Sequence, residues 1–116
     1  MKEIPVISGL RAIQADHKEW QERNFGVAKR SHRTLLGMLE ELGELSHAHL
    51  KTEQGIRVNE DHEAARRDAI GDVFIYMMGY CNDFDLDLTD IISETWAHVM
   101  KRDWEKNKSN GVESNG

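Results

Sequence analysis

The sequence has one cysteine and one proline, and aromatic residues make up only 7% of its 116 residues. Because Cys81 has no second cysteine to pair with, no disulfide can form within the chain, and nothing points to an oxidising compartment. No apolar run is long enough to cross a membrane. The first twenty residues lack the continuous apolar core of a signal peptide, so we expect a cytoplasmic protein that does not engage a membrane.

Basic residues are outnumbered by acidic ones, and the formal net charge is -6. Proteins that bind nucleic acid carry a basic surface, so this balance argues against a nucleic-acid partner. It does not argue against nucleotides, because a bound divalent cation reverses the local field.

Apolar residues recur at helical spacing in four segments, and no segment shows the alternation typical of a strand. The predicted helices cover about 8–23, 31–52, 61–81 and 87–106, with caps at Ser31, Asp61 and either Asp87 or Thr89. We therefore predict one all-α domain over residues 1–106, a bundle of four to five helices. The small polar residues of 107–116 predict a disordered tail.

The third predicted helix contains "IGDVFIYMMGYC", residues 70–81, which is apolar nearly all round. Such a helix is normally buried on every face. The few aromatic residues indicate a modest core in a single chain, so we expect a homodimer or a homotetramer built as a dimer of dimers. Asp72 lies inside this run and needs a partner, because a lone buried carboxylate is costly.

Two pairs of carboxylates lie on successive predicted helices. At about 100° per residue, Glu41 and Glu44 point about 60° apart, and Asp68 and Asp72 lie one turn apart. Hard divalent cations bind several oxygen ligands, so the four acids predict a site for Mg²⁺ or Mn²⁺. The alternative is a solvated acidic surface, in which Asp68 pairs with a neighbouring arginine.

These motifs resemble those of a known family. "EELGEL" followed by "RRDAIGDVFIYM" is similar to the MazG-like nucleotide pyrophosphohydrolases of the all-α NTP pyrophosphatase superfamily, whose signature is Glu-x-x-Glu and then Glu-x-x-Asp. Glu41, Glu44 and Asp72 match three of the four acids, and the resemblance extends from about Trp20 to Trp104. It implies Mg²⁺-dependent hydrolysis of nucleoside triphosphates to monophosphate and pyrophosphate, in dimers or tetramers with sites near subunit contacts.

The sequence departs from the signature at one position. Ala69 stands where the third acid is expected, and Asp68 is one residue earlier, within about 40° of Asp72 on the helix. Either Asp68 takes the role of the missing acid, or the site has lost a ligand and the protein is a weakly active or non-catalytic oligomeric module.

The remaining site predictions concern the attacking water and the substrate. Either Glu41 or Glu44 could orient or deprotonate the water instead of binding metal. Lys101 and Arg102 resemble basic residues that the family uses for phosphate contacts, although basic residues are also common at helix C-termini. Trp20 and Tyr76 are candidates for stacking on the base, although aromatic residues at helical spacing are usually core.

A di-iron carboxylate bundle is a further alternative. Such proteins carry Glu-x-x-His on each of two helices. Glu44 and His47 form this pattern once, and the third predicted helix offers no histidine near Asp68 or Asp72.

Overall fold

The structure, a computed structural model, describes residues 9–27 and 32–113. This part of the chain forms four α-helices and no strand, which confirms the all-α class. The helices are α1 (Leu10–Phe25), α2 (Arg33–Gln54), α3 (His62–Asp83) and α4 (Leu88–Val99). None of the described helices is both long and apolar enough to cross a bilayer.

The main contact is between α2 and α3, which the loop over 55–61 joins into a helical hairpin. Small residues allow the two helices to approach closely: Ala48 and Ala69 are almost fully buried. Gly37 is required at its position, since an added Cβ would lie 2.3 Å from the Tyr76 ring. α1 packs against α3, and α4 packs against α1.

Two helix starts are as predicted. Asp61 Oδ1 accepts a hydrogen bond from the Ala64 N–H at 3.0 Å, and Asp87 Oδ1 accepts one from the Asp90 N–H at 3.1 Å. These caps satisfy donors that the first helical turn leaves without partners. The predicted cap Ser31 lies outside the described residues, and His32 at the start of α2 makes no side-chain cap.

The fourth helix is shorter than predicted, ending at Val99 instead of near residue 106. Asp103 explains the difference, because its Oδ1 accepts from the backbone N–H groups of Glu105 and Lys106, both at 3.1 Å, and so starts a new turn. The Asp103 N–H donates to the Gly111 carbonyl at 2.8 Å. Residues 107–113, which the composition predicts as part of a polar tail, thus include a hydrogen-bonded turn.

A buried polar network fixes α1 at the junction of α3 and α4. Gln14 Oε1 accepts from the Leu88 N–H at 2.9 Å, and Gln14 Nε2 donates to the Leu86 carbonyl at 2.8 Å and to Asn82 Oδ1 at 3.0 Å. Apolar residues surround this network, with Met78, Cys81 and Leu88 buried. Both the oxygen and the nitrogen of the Gln14 side-chain amide therefore make hydrogen bonds within the chain.

The outer faces of the helices differ. α1 presents Ala12, Asp16, Glu19 and Arg23 to solvent. α2 presents leucines opposite its contact with α3, and Leu39 is 65% exposed. On α3, Ile70, Phe74 and Ile75 are between 41% and 48% exposed, so a single chain does not bury this helix on every face.

Candidate functional site

Three carboxylates of α2 converge. One oxygen each from Glu40, Glu41 and Glu44 lies within 4.8 Å of the others. Glu41 is 8% exposed, and its Oε2 has no hydrogen-bond partner among the described residues. A buried oxygen without a donor costs free energy that a bound cation or a donor would recover. The buried, unpartnered oxygen separates this cluster from an ordinary solvated acidic surface.

The charges around Glu41 also favour a cation. The pKa of Glu41 is raised to about 7. Desolvation is the largest cause, followed by hydrogen bonding with and repulsion from Glu44 and then by repulsion from Asp72 and Glu40. Near neutral pH the metal-free carboxyl is therefore divided between its protonated and ionised forms. A divalent cation would displace the proton and remove the repulsion between the acids.

Asp72 faces this cluster from α3. It is half-buried and lines the same pocket as Glu41. Burial raises the pKa of Asp72, and the charges of Asp68 and Glu44 raise it further. The structure thus places three of the predicted ligands, Glu41, Glu44 and Asp72, in one electrostatic environment.

The fourth predicted ligand is less well placed. Asp68 is exposed, and it influences Asp72 through charge without joining the group of close oxygens on α2. Ala69 is 1% exposed within the contact with α2, so a methyl group fills the position where the family signature has an acid. Glu40 also lies in the cluster, and its side chain is exposed.

A pocket of about 270 Å³ opens beside the acids, between α1, α2 and α3. Its lining contains two carboxylates, three aromatic rings and several polar or small groups: His17, Trp20, Gln21, Phe25, Thr34, Glu41, Asp72, Ile75, Tyr76 and Gly79. The Tyr76 ring lies over Gly37 and forms part of the wall. The predicted stacking candidates Trp20 and Tyr76 therefore lie in the same pocket as the predicted metal ligands.

Gln21 presents an acceptor to this pocket. Its Nε2 donates to Asp83 Oδ1 at 2.9 Å and to the Gly79 carbonyl at 3.3 Å. Because both neighbours are acceptors, the amide nitrogen must face them, which fixes Oε1 on the other side. Within the described part of the chain, Gln21 Oε1 is buried and has no hydrogen-bond partner.

Thr34 presents a second unpartnered group. Its Oγ1 is buried without a hydrogen bond to any described residue. Both side chains close over Gly79, since a Cβ added there would lie 3.1 Å from Thr34 Cγ2 and 3.6 Å from Gln21 Nε2. The glycine therefore lets the Thr34 methyl group and the Gln21 amide nitrogen lie close to α3.

His17 links the pocket to the buried polar network. Burial lowers the pKa of His17. Its Nδ1 lies 3.3 Å from Asn82 Nδ2, which can only donate, so the neutral ring accepts there. Trp20 contacts the His17 ring edge-on, with centroids 5.4 Å apart, and is 41% exposed, so its indole covers the pocket from the solvent side.

The predicted phosphate-binding residues lie elsewhere. Lys101 and Arg102 follow the end of α4, are exposed and do not line this pocket. The Arg102 guanidinium lies 6.0 Å from the centre of the Trp104 ring. A role for these two residues in phosphate binding stays a prediction.

Pattern reasoning did not identify Gln21 or Thr34. Both are polar residues at helical positions where a solvated side chain is the usual expectation. Neither lies in a recognisable motif, and their lack of partners depends on how α1 and α2 pack on α3.

Comparison of the chain with protein-family models, with curated proteins and with solved structures finds no match.

Proposed function

We propose that this protein is a metal-dependent nucleoside triphosphate pyrophosphohydrolase that converts a (d)NTP and water into a (d)NMP and pyrophosphate. The observation that carries the proposal is the buried, unpartnered Oε2 of Glu41, where the carboxylates of Glu40 and Glu44 converge with it beside a pocket that Asp72 and aromatic rings line. The MazG-like order of Glu41, Glu44 and Asp72 supports the same reaction class.

The acids fit a hard divalent cation. Glu44 and Asp72 would hold Mg²⁺ or Mn²⁺, with Glu40 or Asp68 completing the set directly or through water. When bound, the cation supplies charge neutralisation on the phosphates. The di-iron alternative receives less support, because His47 is exposed and the candidate ligand group consists of carboxylates.

Glu41 or Glu44 would act on the attacking water as general base. The water oxygen bonds to one of the two phosphorus atoms that share the α–β bridging oxygen, and the bond from that phosphorus to the bridging oxygen breaks. The water proton passes to the carboxylate. Attack at the α-phosphorus expels pyrophosphate and attack at the β-phosphorus expels the nucleoside monophosphate, so the two products are the same in either case. Glu41 suits the task of general base, because its carboxyl lines the pocket beside Asp72 and its Oε2 makes no hydrogen bond within the described residues.

The experiment is an assay of pyrophosphate release across standard and modified (d)NTPs with Mg²⁺ and with Mn²⁺. Glu44→Gln and Asp72→Asn should each lower the rate by more than about 100-fold, because even residues behind metal ligands cost about 10-fold to 100-fold. Asp68→Asn should cost about 10-fold if it acts through water. Glu19→Gln, on the outer face of α1, is the matched control and should change nothing.

A non-catalytic binding module is a second candidate, and the buried methyl group of Ala69 at the signature position favours it. Calorimetry separates the two. Metal and nucleotide binding without turnover of any nucleotide would establish the module and reject the enzyme. Both candidate functions predict that the Glu44→Gln variant loses metal binding.

We further propose that the working form is a homodimer or homotetramer that covers the leucine face of α2 and the apolar face of α3. Gly43 and Gly71 lie on these faces, and no described residue lies within 4 Å of a Cβ added at either position, which leaves room for a second copy. Leu39→Lys should therefore yield monomers in light scattering at micromolar concentration. Ala12→Lys, on the polar outer face of α1, is the control, and an unchanged mass for Leu39→Lys would reject this interface.

A further inference from the structure

We propose that the pocket reads the Watson–Crick edge of the nucleotide base, with Gln21 Oε1 accepting a hydrogen bond from a base N–H and the Thr34 hydroxyl donating to a neighbouring base acceptor. This inference rests on the proposed function, since it takes the substrate to be a nucleotide. It deepens that function by assigning two residues that determine specificity.

The fixed orientation of the Gln21 amide calls for a hydrogen-bond donor on the ligand. Asp83 and the Gly79 carbonyl occupy both protons of Nε2, so Gln21 cannot turn to offer a donor. Its Oε1 is shielded from water and makes no hydrogen bond within the described residues. A ligand that brings an N–H to this point recovers an interaction that the folded chain leaves unmade.

The Thr34 hydroxyl is the group that would donate to the neighbouring acceptor of the base. This hydroxyl can donate or accept, it is buried without a partner within the described chain, and Thr34 lines the same pocket as Gln21. An acceptor and a free hydroxyl that line the same pocket match a base edge that carries both a donor and an acceptor. The Watson–Crick edge of each natural base has such a pair.

The shape of the pocket fits a flat ring. Its volume of about 270 Å³ is just below the range of about 300–1,000 Å³ that holds drug-sized ligands, so it suits a base better than a whole nucleotide. Trp20, Phe25 and Tyr76 supply aromatic surface of the kind on which bases stack. With a base beside Gln21, the phosphates would extend toward Glu41 and Asp72 in the same pocket.

The test compares nucleotides that differ only in the edge that Gln21 would contact. Cytidine triphosphate carries an amino group that 2-pyrimidinone riboside triphosphate lacks. The wild-type protein should use the analogue about 10-fold to 100-fold less well in kcat/KM, because Gln21 Oε1 then stays unpaired. Gln21→Met should remove the difference in kcat/KM between cytidine triphosphate and the analogue.

Thr34→Val provides a second variant, because it removes the hydroxyl without disturbing any hydrogen bond of the described residues, whereas Gln21→Met also removes a partner of buried Asp83. Thr34→Val should lower kcat/KM for cytidine triphosphate about 10-fold, and Thr34→Ser should retain the wild-type rate. Equal use of the two nucleotides by the wild-type protein, or discrimination that both Gln21→Met and Thr34→Val leave intact, would overturn the inference.

A titration with the nucleosides alone, without metal, separates this inference from the proposed function. NMR shifts of residues around the pocket should show tighter binding of cytidine than of 2-pyrimidinone riboside. Selective nucleoside binding without hydrolysis of any triphosphate would retain the inference and reject the enzyme. Hydrolysis without discrimination between the two bases would retain the enzyme and reject the inference.

Discussion

Gln14 and Gln21 lie two helical turns apart on the same face of α1, and their surroundings are opposite. The Gln14 amide uses both its oxygen and its nitrogen in bonds to the α3–α4 junction. The Gln21 amide uses only its nitrogen and leaves its oxygen buried without a partner in the described residues. The same residue type thus holds the fold together at one end of the helix and faces a pocket at the other.

The comparison extends to the groups around each glutamine. Near Gln14 the buried Asn82 also makes hydrogen bonds, and one buried atom there, Thr89 Oγ1, has no partner among the described residues. Near Gln21, Thr34 Oγ1 and Glu41 Oε2 are buried without partners among the residues described. Because native proteins pair nearly all buried polar atoms, several unpaired ones around one pocket indicate a place where a ligand completes the set. Changing the first region should cost stability, and changing the second should cost function.

Gln14→Met should have the largest effect on stability. It keeps the volume of the side chain but removes the hydrogen bonds that Gln14 makes to the Leu88 N–H, the Leu86 carbonyl and Asn82 Oδ1. At about 1–3 kcal/mol for each unpaired group, the loss should be at least about 3 kcal/mol. Urea unfolding at fixed protein concentration measures it, with Ala12→Met as the control on the outer face of α1. A loss below about 1 kcal/mol would contradict the role of this network.

Gly37→Ala should have the next largest effect, because the added methyl group would meet the Tyr76 ring that forms part of the pocket wall. Overpacking of this kind costs about 1–3 kcal/mol, which outweighs the gain of up to about 1 kcal/mol from replacing a helical glycine. Thermal unfolding of the variant checks the cost. Gly37→Ala combined with Tyr76→Leu should recover part of the stability, and no recovery would mean that the clash is not with Tyr76.

Thr34→Val should leave stability unchanged or raise it by up to about 1 kcal/mol, since it replaces an unpaired buried hydroxyl with a methyl group of similar size. The same unfolding experiment tests this, and Thr34→Ser, which keeps the hydroxyl, serves as the control. A loss of 2 kcal/mol or more, on the order of a broken hydrogen bond to a buried group, would show that the hydroxyl is already paired within the protein.

The pH dependence of the metal-free protein has a defined sign. The pKa of Glu41 is about 7 in the folded chain against an ordinary value of 4.5, so the folded state binds the proton more tightly. This contribution to stability is fully present below about pH 4.5 and is lost as the pH rises through 7.

Melting temperatures in the presence of a chelator, measured between pH 5 and 8, test that sign. The wild-type protein should lose more stability over this range than Glu41→Gln, which has no proton to release. Added Mg²⁺ should stabilise the wild-type protein more at pH 8 than at pH 5.5, because a cation bound among these acids disfavours the protonated form of Glu41. Parallel pH profiles for the two proteins would contradict the raised pKa.

Local signals in the sequence predict much of this structure. Asp61 and Asp87 cap helices as their side-chain chemistry indicates, and helical spacing predicts that Glu41 and Glu44 share a face. The early end of α4 is harder to predict, because it depends on Asp103 competing with the helix for backbone donors and on a return of the chain to Gly111.

No local pattern in the sequence predicts which polar atoms of the pocket lack hydrogen-bond partners. Gln14 and Gln21 look alike in the sequence, and only the packing of α1 on α3 gives one of them a full set of partners. Ala69 shows the opposite case: the sequence reveals the missing acid, and the structure adds that the position is buried against α2.

The most direct test of the central claim is ³¹P NMR of the products formed by the wild-type protein from nucleoside triphosphates in Mg²⁺. The proposed reaction predicts nucleoside monophosphate and pyrophosphate in equal amounts, no formation of nucleoside diphosphate, and loss of both products when Mg²⁺ is chelated. Nucleoside diphosphate with orthophosphate, or no product from any nucleotide with either Mg²⁺ or Mn²⁺, would contradict it.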